Sequence, residues 1–404
     1  MIHSTLTLLA VLLGFSSLAS AQEYPRIKQR YMGIMEVREF DQFKTVQNLE
    51  PFRRRTLDIT EVEMELEVLI NDISKIELEV EIEHGGTGTA LEFDNFEEFG
   101  EFESEVEKGG EIAISEVFYH RKLSDSTALI VGKAPLYVSL TSAARKPLLN
   151  VATSPSNLEE RMIPVKWSEP GLQLESRLGD FTVRGGVVAG LNSEFFRKYN
   201  WIGGGHQRQF EHSNIDDVAA AATLEYGDVA RGRGLALAHY YGNTRNNRHK
   251  KDKLNENAHV ALWTLMGSWT LGPITATGEA IRGTLQNSEA VVVANATLGG
   301  LAKPKNFASL GASAALDVLQ IRWDLNETWA VFGQWERVNT FQEIQGQVFA
   351  DPRYDVRQEG GGLWHTWDDV FFWKFHYWRE QTRLEGLPAT ETYLVQFGFD
   401  TGEF

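Results

Sequence analysis

Apolar and polar residues alternate strictly over long stretches of this chain. Residues 61–68 read E-V-E-M-E-L-E-V, and residues 75–83 read K-I-E-L-E-V-E-I-E. A strand sends successive side chains to opposite faces, whereas a helix would scatter these apolar residues around its circumference. Asn71 and Asp72 lie between the two segments and are residue types typical of a tight turn. The pattern therefore predicts a β-hairpin with one apolar face and one acidic face.

The most aromatic segment of the chain shows the same period. Residues 370–380 read V-F-F-W-K-F-H-Y-W-R-E, with aromatic residues at the odd positions and Lys374 and His376 between them. One face of such a strand is aromatic and the other is polar. A wall with lipid on one side and water on the other needs this arrangement, and it is typical of a transmembrane β-barrel.

Short turns and long polar loops separate the predicted strands alternately, as they do in barrels with turns in the periplasm and loops outside. Further strands are predicted at 111–122, 127–138, 170–178, 181–190, 215–226, 231–242, 257–271, 274–284, 308–323, 328–338, 357–366 and 391–400. The long loops are predicted at 85–110, 139–169, 192–214, 243–256, 285–305, 339–356 and 381–390. About fifteen strands result, but a single-chain bacterial barrel has an even number. We expect an all-β, antiparallel transmembrane barrel of 16 strands, with the missing strand in 28–40 or 286–298, and 14 strands as the alternative.

The N-terminus carries features of export. A short apolar run is followed by Ala19-Ser20-Ala21, which fits a cleavage site, so residues 1–21 are predicted to be a signal peptide. Residues 22–52 are expected to be a periplasmic arm or the first strand, and residues 53–404 the barrel. Phe404, a terminal aromatic residue, fits recognition of the C-terminal strand by the barrel-assembly machinery.

Composition narrows the function classes. The chain has no cysteine, so Cys-based metal and redox sites and disulfides are excluded. A formal net charge of −17 argues against nucleic-acid binding and bears on ion selectivity. The 11 Trp, 11 Tyr and 23 Phe are sufficient for aromatic girdles at two membrane interfaces.

Two segments resemble a known family. Residues 80–91 read V-E-I-E-H-G-G-T-G-T-A-L, and residues 159–172 read E-E-R-M-I-P-V-K-W-S-E-P-G-L. These resemble the phosphate-selective porins of the O and P type, most clearly over residues 57–192. The resemblance implies a sixteen-stranded barrel, a homotrimer and a narrow pore. Phosphate selectivity in that family depends on pore-lining arginines and lysines, and this chain departs from that pattern.

If the apolar faces meet lipid, the opposite faces line the pore. For the first hairpin these are eight carboxylates: Glu61, Glu63, Glu65, Glu67, Glu77, Glu79, Glu81 and Glu83. They would either form an acidic wall that concentrates cations, or be neutralised by basic side chains from loops and adjacent strands, Arg53, Arg54 and Arg55 among them. Alternation also places other residues inward: Glu175, Arg177, Arg184, Glu225, Glu279, Arg322, Lys374 and His376.

The loop 139–169 is the predicted constriction. It carries charges of both signs: Arg145, Lys146, Glu159, Glu160, Arg161 and Lys166. If the loop folds inward, these would narrow the pore and set up a transverse field. The alternative is an external loop whose charges are solvated.

Two classes of function fit this pattern. The first is a porin of the bacterial outer membrane that lets small hydrophilic solutes or ions, including phosphate and other anions, diffuse passively. The second is a closed barrel that acts as a surface adhesin or structural protein. No local catalytic signature is present, so the chain is predicted not to be an enzyme. No cofactor and no metal are expected, and the expected partners are outer-membrane lipid, lipopolysaccharide and other copies of the chain.

Overall fold

A computed structural model describes residues 24–45, 48–93, 104–207, 213–248, 254–296 and 309–402. Within these residues, sixteen strands form a closed antiparallel barrel in which each strand pairs with its neighbours in sequence. The first strand closes the barrel by pairing with the last, with Gly33 opposite Phe399 and Val37 opposite Val395. The prediction of an all-β antiparallel barrel with 16 strands is confirmed.

The strands are β1 (Arg26–Thr45), β2 (Asn48–Asn71), β3 (Ser74–Phe93), β4 (Ser104–Lys122), β5 (Thr127–Pro135), β6 (Ser168–Leu178), β7 (Phe181–Ala189), β8 (Val218–Asp228), β9 (Arg233–Asn243), β10 (His259–Leu271), β11 (Ile274–Leu285), β12 (Ser313–Asp324), β13 (Trp329–Glu343), β14 (Asp355–Trp367), β15 (Phe371–Thr382) and β16 (Thr390–Asp400). Two α-helices lie in connections, α1 (Leu140–Ala143) and α2 (Ser288–Ala296). None of the helices in the described part of the chain is both long and apolar enough to cross a membrane.

The N-terminal segment is where the sequence prediction needs correction. The missing strand is β1, in the 28–40 segment, whereas 286–298 contains α2. Of the two alternatives for residues 22–52, the first strand is the one that the structure shows, as β1, and the barrel begins at Arg26 rather than at residue 53. The 85–110 loop is also shorter than expected, because β3 continues to Phe93 and β4 starts at Ser104. The predicted signal peptide and Phe404 lie outside the described residues.

The two faces of the barrel differ as the alternation requires. On β10, Trp263 and Leu265 are 52% and 58% exposed on the outer surface, whereas Thr264 between them is 1% exposed. On β15, Lys374 and His376 are buried inside while Phe371 is exposed outside. Without water in a bilayer core, a closed barrel satisfies every backbone hydrogen bond, so this surface can meet lipid directly.

The interior is filled unevenly. Residues 136–167, which connect β5 to β6 and are here named the inward loop, lie inside the barrel. Leu158, Met162 and Trp167 of this loop belong to the buried apolar cluster that includes Ile281 of β11 and Leu316 of β12. The inward loop therefore packs against one side of the barrel, and the cavities that remain lie along β1–β4 and, toward the long loops, along β14–β16 and β1.

Candidate functional site

The inward loop has its own local structure. Ser139 caps α1 by accepting a hydrogen bond from the backbone N–H of Ser142, and both residues are fully buried. Glu159 accepts hydrogen bonds from the hydroxyl of Thr141 and from its backbone N–H. These contacts join the two ends of the loop, so that it enters and leaves the lumen as one packed unit.

The eight glutamates of β2 and β3, here named the acidic wall, face one another in pairs. Glu61 is opposite Glu83, and Glu63 is opposite Glu81; the same register pairs Glu65 with Glu79 and Glu67 with Glu77. Like charges directly opposite each other across two strands are destabilising unless a cation lies near them.

Strand residues supply part of that positive charge. Arg30 of β1 lies 2.5 Å from Glu65 and 3.9 Å from Glu63, and it also binds Asp400 at 2.7 Å. Lys75 lies 2.6 Å from Glu67 and 2.5 Å from Glu77, and Lys28 lies 3.2 Å from Glu67. The half of the acidic wall nearer the turn, with Glu65, Glu67 and Glu77, is thus paired with Lys75 of its own hairpin and with Lys28 and Arg30 of β1.

The inward loop supplies the rest. The Lys166 ammonium contacts Glu61 and lies 3.2 Å from Glu63 and 3.6 Å from Glu81. Arg145 contacts Glu116 of β4 and lies 3.5 Å from Glu79. Burial alone would lower the pKa of Arg145, but the carboxylates of Glu116 and Glu79 raise it above its ordinary value.

Arg53, Arg54 and Arg55 do not take the role that the sequence suggested. Arg53 and Arg55 pair with Glu39, and Arg54 donates to Gln42. The cations near the acidic wall are instead Lys28, Arg30, Lys75, Arg145 and Lys166. These five face the acidic wall and Glu116, so carboxylates outnumber cations in this described part of the lumen.

The acidic wall also has the donor chemistry of a cation site. Carboxylate oxygens of Glu61, Glu63 and Glu81 lie within 4.8 Å of one another. Oxygen ligands of this kind suit hard divalent cations. The Lys166 ammonium already lies among the three, and the expectation that no metal binds stays a prediction.

The β12–β15 side of the barrel holds the inward loop differently. Lys374 of β15 is fully buried, and its ammonium donates to the backbone carbonyls of Pro147, Asn150 and Ala152 at 2.9, 3.2 and 2.7 Å. The Trp364 ring lies 5.1 Å from the same ammonium. Lys374 therefore does not line an open pore; it binds the loop.

Glu336 of β13 is the acidic counterpart of Lys374. Its carboxylate accepts hydrogen bonds from the backbone N–H groups of Asn157 and Leu158, at 3.0 and 2.9 Å, and from the Ser156 hydroxyl at 2.9 Å. Polar side chains of neighbouring strands add further bonds to the loop: Gln320 to the carbonyls of Ser154 and Pro155, Gln358 to Asn157, His376 to Thr153, and Gln396 to Thr153.

A second acidic contact lies beneath α1. Glu279 of β11 accepts the backbone N–H of Leu140 at 2.8 Å, and its other carboxylate oxygen is buried without a hydrogen-bond partner among the described residues. Glu279 is close enough to Glu159 for electrostatic coupling. Burial raises the pKa of Glu159 to about 7, although hydrogen bonds from Thr141 and Ser139 oppose the rise.

The remaining predicted residues occupy several places. Arg161 forms a bidentate pair with Glu380 at 3.0 and 2.9 Å, and Glu160 lines the cavity beside it. Lys146 lies close enough to Asp400 to interact with it electrostatically.

A separate ionic network lies on β6–β8, near the turns. Arg184 bridges Glu175 and Glu225 at 2.9 and 2.6 Å, while Arg177 is 73% exposed and pairs with Glu175. Arg322 pairs with Asp324 at 2.9 Å, also near a turn. These residues are inward by alternation, but the structure does not bring them to the inward loop's charged cluster.

Cavities lie on both sides of the Lys166–Arg145 cluster. Toward the turns, a cavity of about 460 Å³ is lined by Arg30, Glu77 and Arg145, among other residues. Toward the long loops, cavities of about 500 and 550 Å³ share Glu160, Val165 and Tyr199 in their lining. The charged cluster of loop and wall therefore separates the cavity on the turn side from the cavities on the side of the long loops.

Sequence reasoning missed several of these residues. Arg30 was not among the predicted pore-lining residues, because the pattern of its segment fits either an arm or a strand. Arg30 and Met32 do alternate with Tyr31 there, as they would on the inward face of a strand. Glu336 could have been found, because alternation in 328–338 puts it on the face opposite Trp329 and Trp335. The backbone groups of the inward loop carry no sequence signal at all.

Solved structures share this architecture. The chain resembles OmpT of Vibrio cholerae with a TM-score of 0.53 and 8% identity, covering 94% of this chain and 99% of that one. It resembles the outer membrane channel DcaP of Acinetobacter baumannii with a TM-score of 0.54 and 10% identity, covering 94% and 96%. It also resembles Salmonella typhi OmpF in complex with daunomycin, with a TM-score of 0.54 and 8% identity, covering 93% and 98%.

At these identities the likeness concerns the fold. A scan against protein-family models and a search of curated proteins give no match. The chain thus shares the closed outer-membrane barrel fold of these structures, and the assignment to phosphate-selective porins is not confirmed. The prediction that the chain is not an enzyme is wrong as a firm statement. The matched structures include OmpT, an outer membrane protein. Because the chain shares only the fold with it, at 8% identity, these structures leave open whether the chain has an enzymatic activity.

The apolar outer surface and the closed sixteen-stranded barrel agree with these neighbours. The location expected from the sequence, the bacterial outer membrane, is confirmed. The chain is a membrane-embedded barrel of the outer-membrane type with a folded loop inside it.

Proposed function

We propose that this chain is a porin through which small hydrophilic solutes and ions diffuse passively past the ion pairs that join the inward loop to the acidic wall. The observation that carries the proposal is the position of the inward loop: it is bonded to both walls and narrows the lumen without occupying the cavities on either side. Charged side chains at such a narrowing select the solute.

A weak preference for cations follows from the charges at the narrowing. The five cations beside the acidic wall are all engaged by carboxylates, and carboxylates are in excess. In the part of the lumen that the structure describes, the basic residues beside the acidic wall do not form the ladder of arginines and lysines on which phosphate selectivity would depend. We therefore favour small cations and neutral polar solutes over phosphate, and keep phosphate as an outcome of the test.

Reversal potential in a planar bilayer tests this proposal directly. Purified chain would be measured in a potassium chloride gradient, with and without added phosphate. A weakly cation-selective conductance that phosphate does not block is expected. Anion preference with phosphate block would overturn the proposed selectivity and restore the function implied by the family resemblance.

A second function is favoured by one specific observation. The inward loop and a large apolar cluster fill the β11–β14 side of the lumen, as in a barrel that is closed and works through its surface. Absence of any conductance, in protein shown by circular dichroism to be folded, would support this adhesin or structural role.

Assembly as a homotrimer remains part of the proposal, on the family resemblance alone. Light scattering in detergent would give three chain masses if it holds. Recognition of the C-terminal strand by the barrel-assembly machinery also stays a prediction.

A further inference from the structure

The outer surface of β11–β15 carries a cluster of charged residues at the loop end. Five exposed arginines, here named the arginine belt, project from this surface or from the end of β15: Arg282, Arg337, Arg357, Arg379 and Arg383. Their inward neighbours Ile281, Val338 and Val356 belong to the buried interior cluster, which fixes the arginines on the outside.

The arginine belt lies at the edge of the apolar band. Below it, on the same outward faces, β13 carries Trp335 and β15 carries Tyr377. Tryptophan and tyrosine of this kind mark the level of lipid headgroups. The belt is at the end of the long loops, which is the external end of an outer-membrane barrel.

Within the belt, two arginines are directly opposite each other. Arg337 of β13 pairs in register with Arg357 of β14. Side chains at such positions have Cβ atoms about 5 Å apart, and like charges there destabilise the sheet. A single anion between the two guanidinium groups removes that repulsion.

The nearby carboxylates do not neutralise all of this positive charge. Asp317, Asp355 and Glu359 pair with Arg282, Arg337 and Arg357, at distances of 2.7, 3.0 and 2.6 Å. Arg383 is only 3.6 Å from Asp355, which already binds Arg337. Arg379 lies opposite Glu359 and Glu391 in the register of its neighbouring strands. Five arginines thus face four carboxylates on a chain whose formal net charge is −17.

The belt ends at β10 on one flank, whereas beyond β16 on the other flank Arg53 and Arg55 of β2 are also exposed, with Arg53 3.4 Å from Glu391. On β10, next to β11, the outward positions above Trp263 are Ala261 and His259. Ordinary solubility would not concentrate arginines on one arc of a strongly acidic protein. Guanidinium groups bind phosphate oxygens in bidentate fashion and hold them in a fixed geometry.

We propose that the arginine belt binds the phosphate groups of an outer-leaflet glycolipid of the lipopolysaccharide type. The lipid chains lie against the apolar band below the belt, and a phosphate bridges Arg337 and Arg357. This binding does not depend on conduction through the barrel, so it stands or falls apart from the proposed porin function.

Binding of lipid A to the purified chain in detergent tests the proposal, with a dephosphorylated lipid A and inorganic phosphate as comparison probes. The double variant Arg337→Gln, Arg357→Gln is expected to lose affinity by roughly fivefold for each arginine removed. The matched control is Arg177→Gln, Arg231→Gln, which removes two exposed arginines, 73% and 76% exposed, at the turn end. The control should bind lipid A as the unaltered chain does.

A substitution with the opposite expected effect on affinity distinguishes a loss of lipid binding from a loss of folding. Asp355→Asn removes a carboxylate from the belt and is expected to raise the affinity for lipid A. Equal loss in the control, equal binding of the dephosphorylated lipid, or competition by inorganic phosphate at the concentration of the lipid would each overturn the proposal. A changed oligomer mass in the double variant with unchanged lipid affinity would assign the belt to a contact between protein chains.

Discussion

The two walls that hold the inward loop use opposite chemistry. On the acidic wall, wall carboxylates meet cationic side chains of the loop, with Lys166 among Glu61, Glu63 and Glu81. On the β12–β15 wall, charged wall residues meet the loop's backbone, with Lys374 on three carbonyls and Glu336 on two amides. At the acidic wall, the charges of the ion pairs border a cavity. At the β12–β15 wall, the charges of Lys374 and Glu336 are fully buried against backbone groups of the loop.

This difference indicates that one wall anchors the inward loop and the other influences which ions pass. A fully buried ammonium needs every hydrogen bond that it makes, because a buried unsatisfied group costs free energy comparable to a lost bond. The Lys166 side chain is 22% exposed, so its ion pairs with the acidic wall are more accessible to screening than the fully buried Lys374 contacts, and each should contribute less to stability. We infer that the β12–β15 wall fixes the loop and that the acidic wall sets the electrostatics of the passage.

Removing Lys374 should give the largest effect. In Lys374→Met, the carbonyls of Pro147, Asn150 and Ala152 lose their donor, at a cost of about 1–3 kcal/mol for each group left unpaired. The loop should detach, so that single-channel conductance rises and residues 147–158 become sensitive to protease.

The matched control is Lys122→Met, an exposed lysine at the turn end of β4. It should leave conductance and protease resistance as they are. If Lys374→Met folds and also changes neither property, the buried ammonium is not the anchor of the loop.

Removing Lys166 should give a smaller effect of a different kind. Lys166→Gln leaves Glu61, Glu63 and Glu81 without their shared cation. Cation over anion permeability should rise about sixfold, because one charge roughly 8 Å from a passing ion changes the permeability in water by a factor of about 2.4, in opposite directions for cations and anions. Reversal potentials measure this ratio, and the size of the conductance should change little.

Arg177→Gln provides the comparison for Lys166, since Arg177 is exposed at the turn end. An unchanged permeability ratio in Lys166→Gln would show that the acidic wall is screened from the passing ions. A large rise in conductance would instead make Lys166 an anchor, against the division of roles between the two walls.

The pH dependence of loop docking should be the smallest effect. Burial raises the pKa of Glu159 to about 7, so the docked loop holds a proton that a solvated glutamate releases near pH 4.3. Docking is therefore favoured at low pH, weakens as the pH rises from about 4.3 to about 7, and is constant above that. Glu279 and Glu336 face Glu159 from β11 and β13, and the hydroxyls of Ser139 and Thr141 lie beside it.

The measurement is the frequency of high-conductance openings between pH 5 and pH 8. These openings should become more frequent as the pH rises, and Glu159→Gln should reduce the dependence. If the variant shows the same pH profile as the unaltered chain, the titrating group lies elsewhere in the lumen.

The sequence alone determined the barrel. Period-two alternation and the contrast between short turns and long loops depend on one strand and its neighbours, so they can be read without knowing which strands meet. They predicted fifteen of the sixteen strands and the inward side of Glu63 and Lys374 correctly, and the even strand number of such barrels supplied the sixteenth strand. They failed at β1, because residues 26–45 mix charged and apolar positions and the pattern there is weaker.

Only the tertiary structure decided what these inward residues do. Lys374 reads as a pore-lining cation in the sequence, but it lies at a place where the inward loop fills the lumen, so it binds the backbone instead. Arg53 and Lys166 are both basic residues. The register of β1 with β2 places Arg53 beside Glu39, and the path of the inward loop places Lys166 beside the acidic wall. Contacts across the lumen join residues more than 100 positions apart, and alternation within a strand carries no information about them.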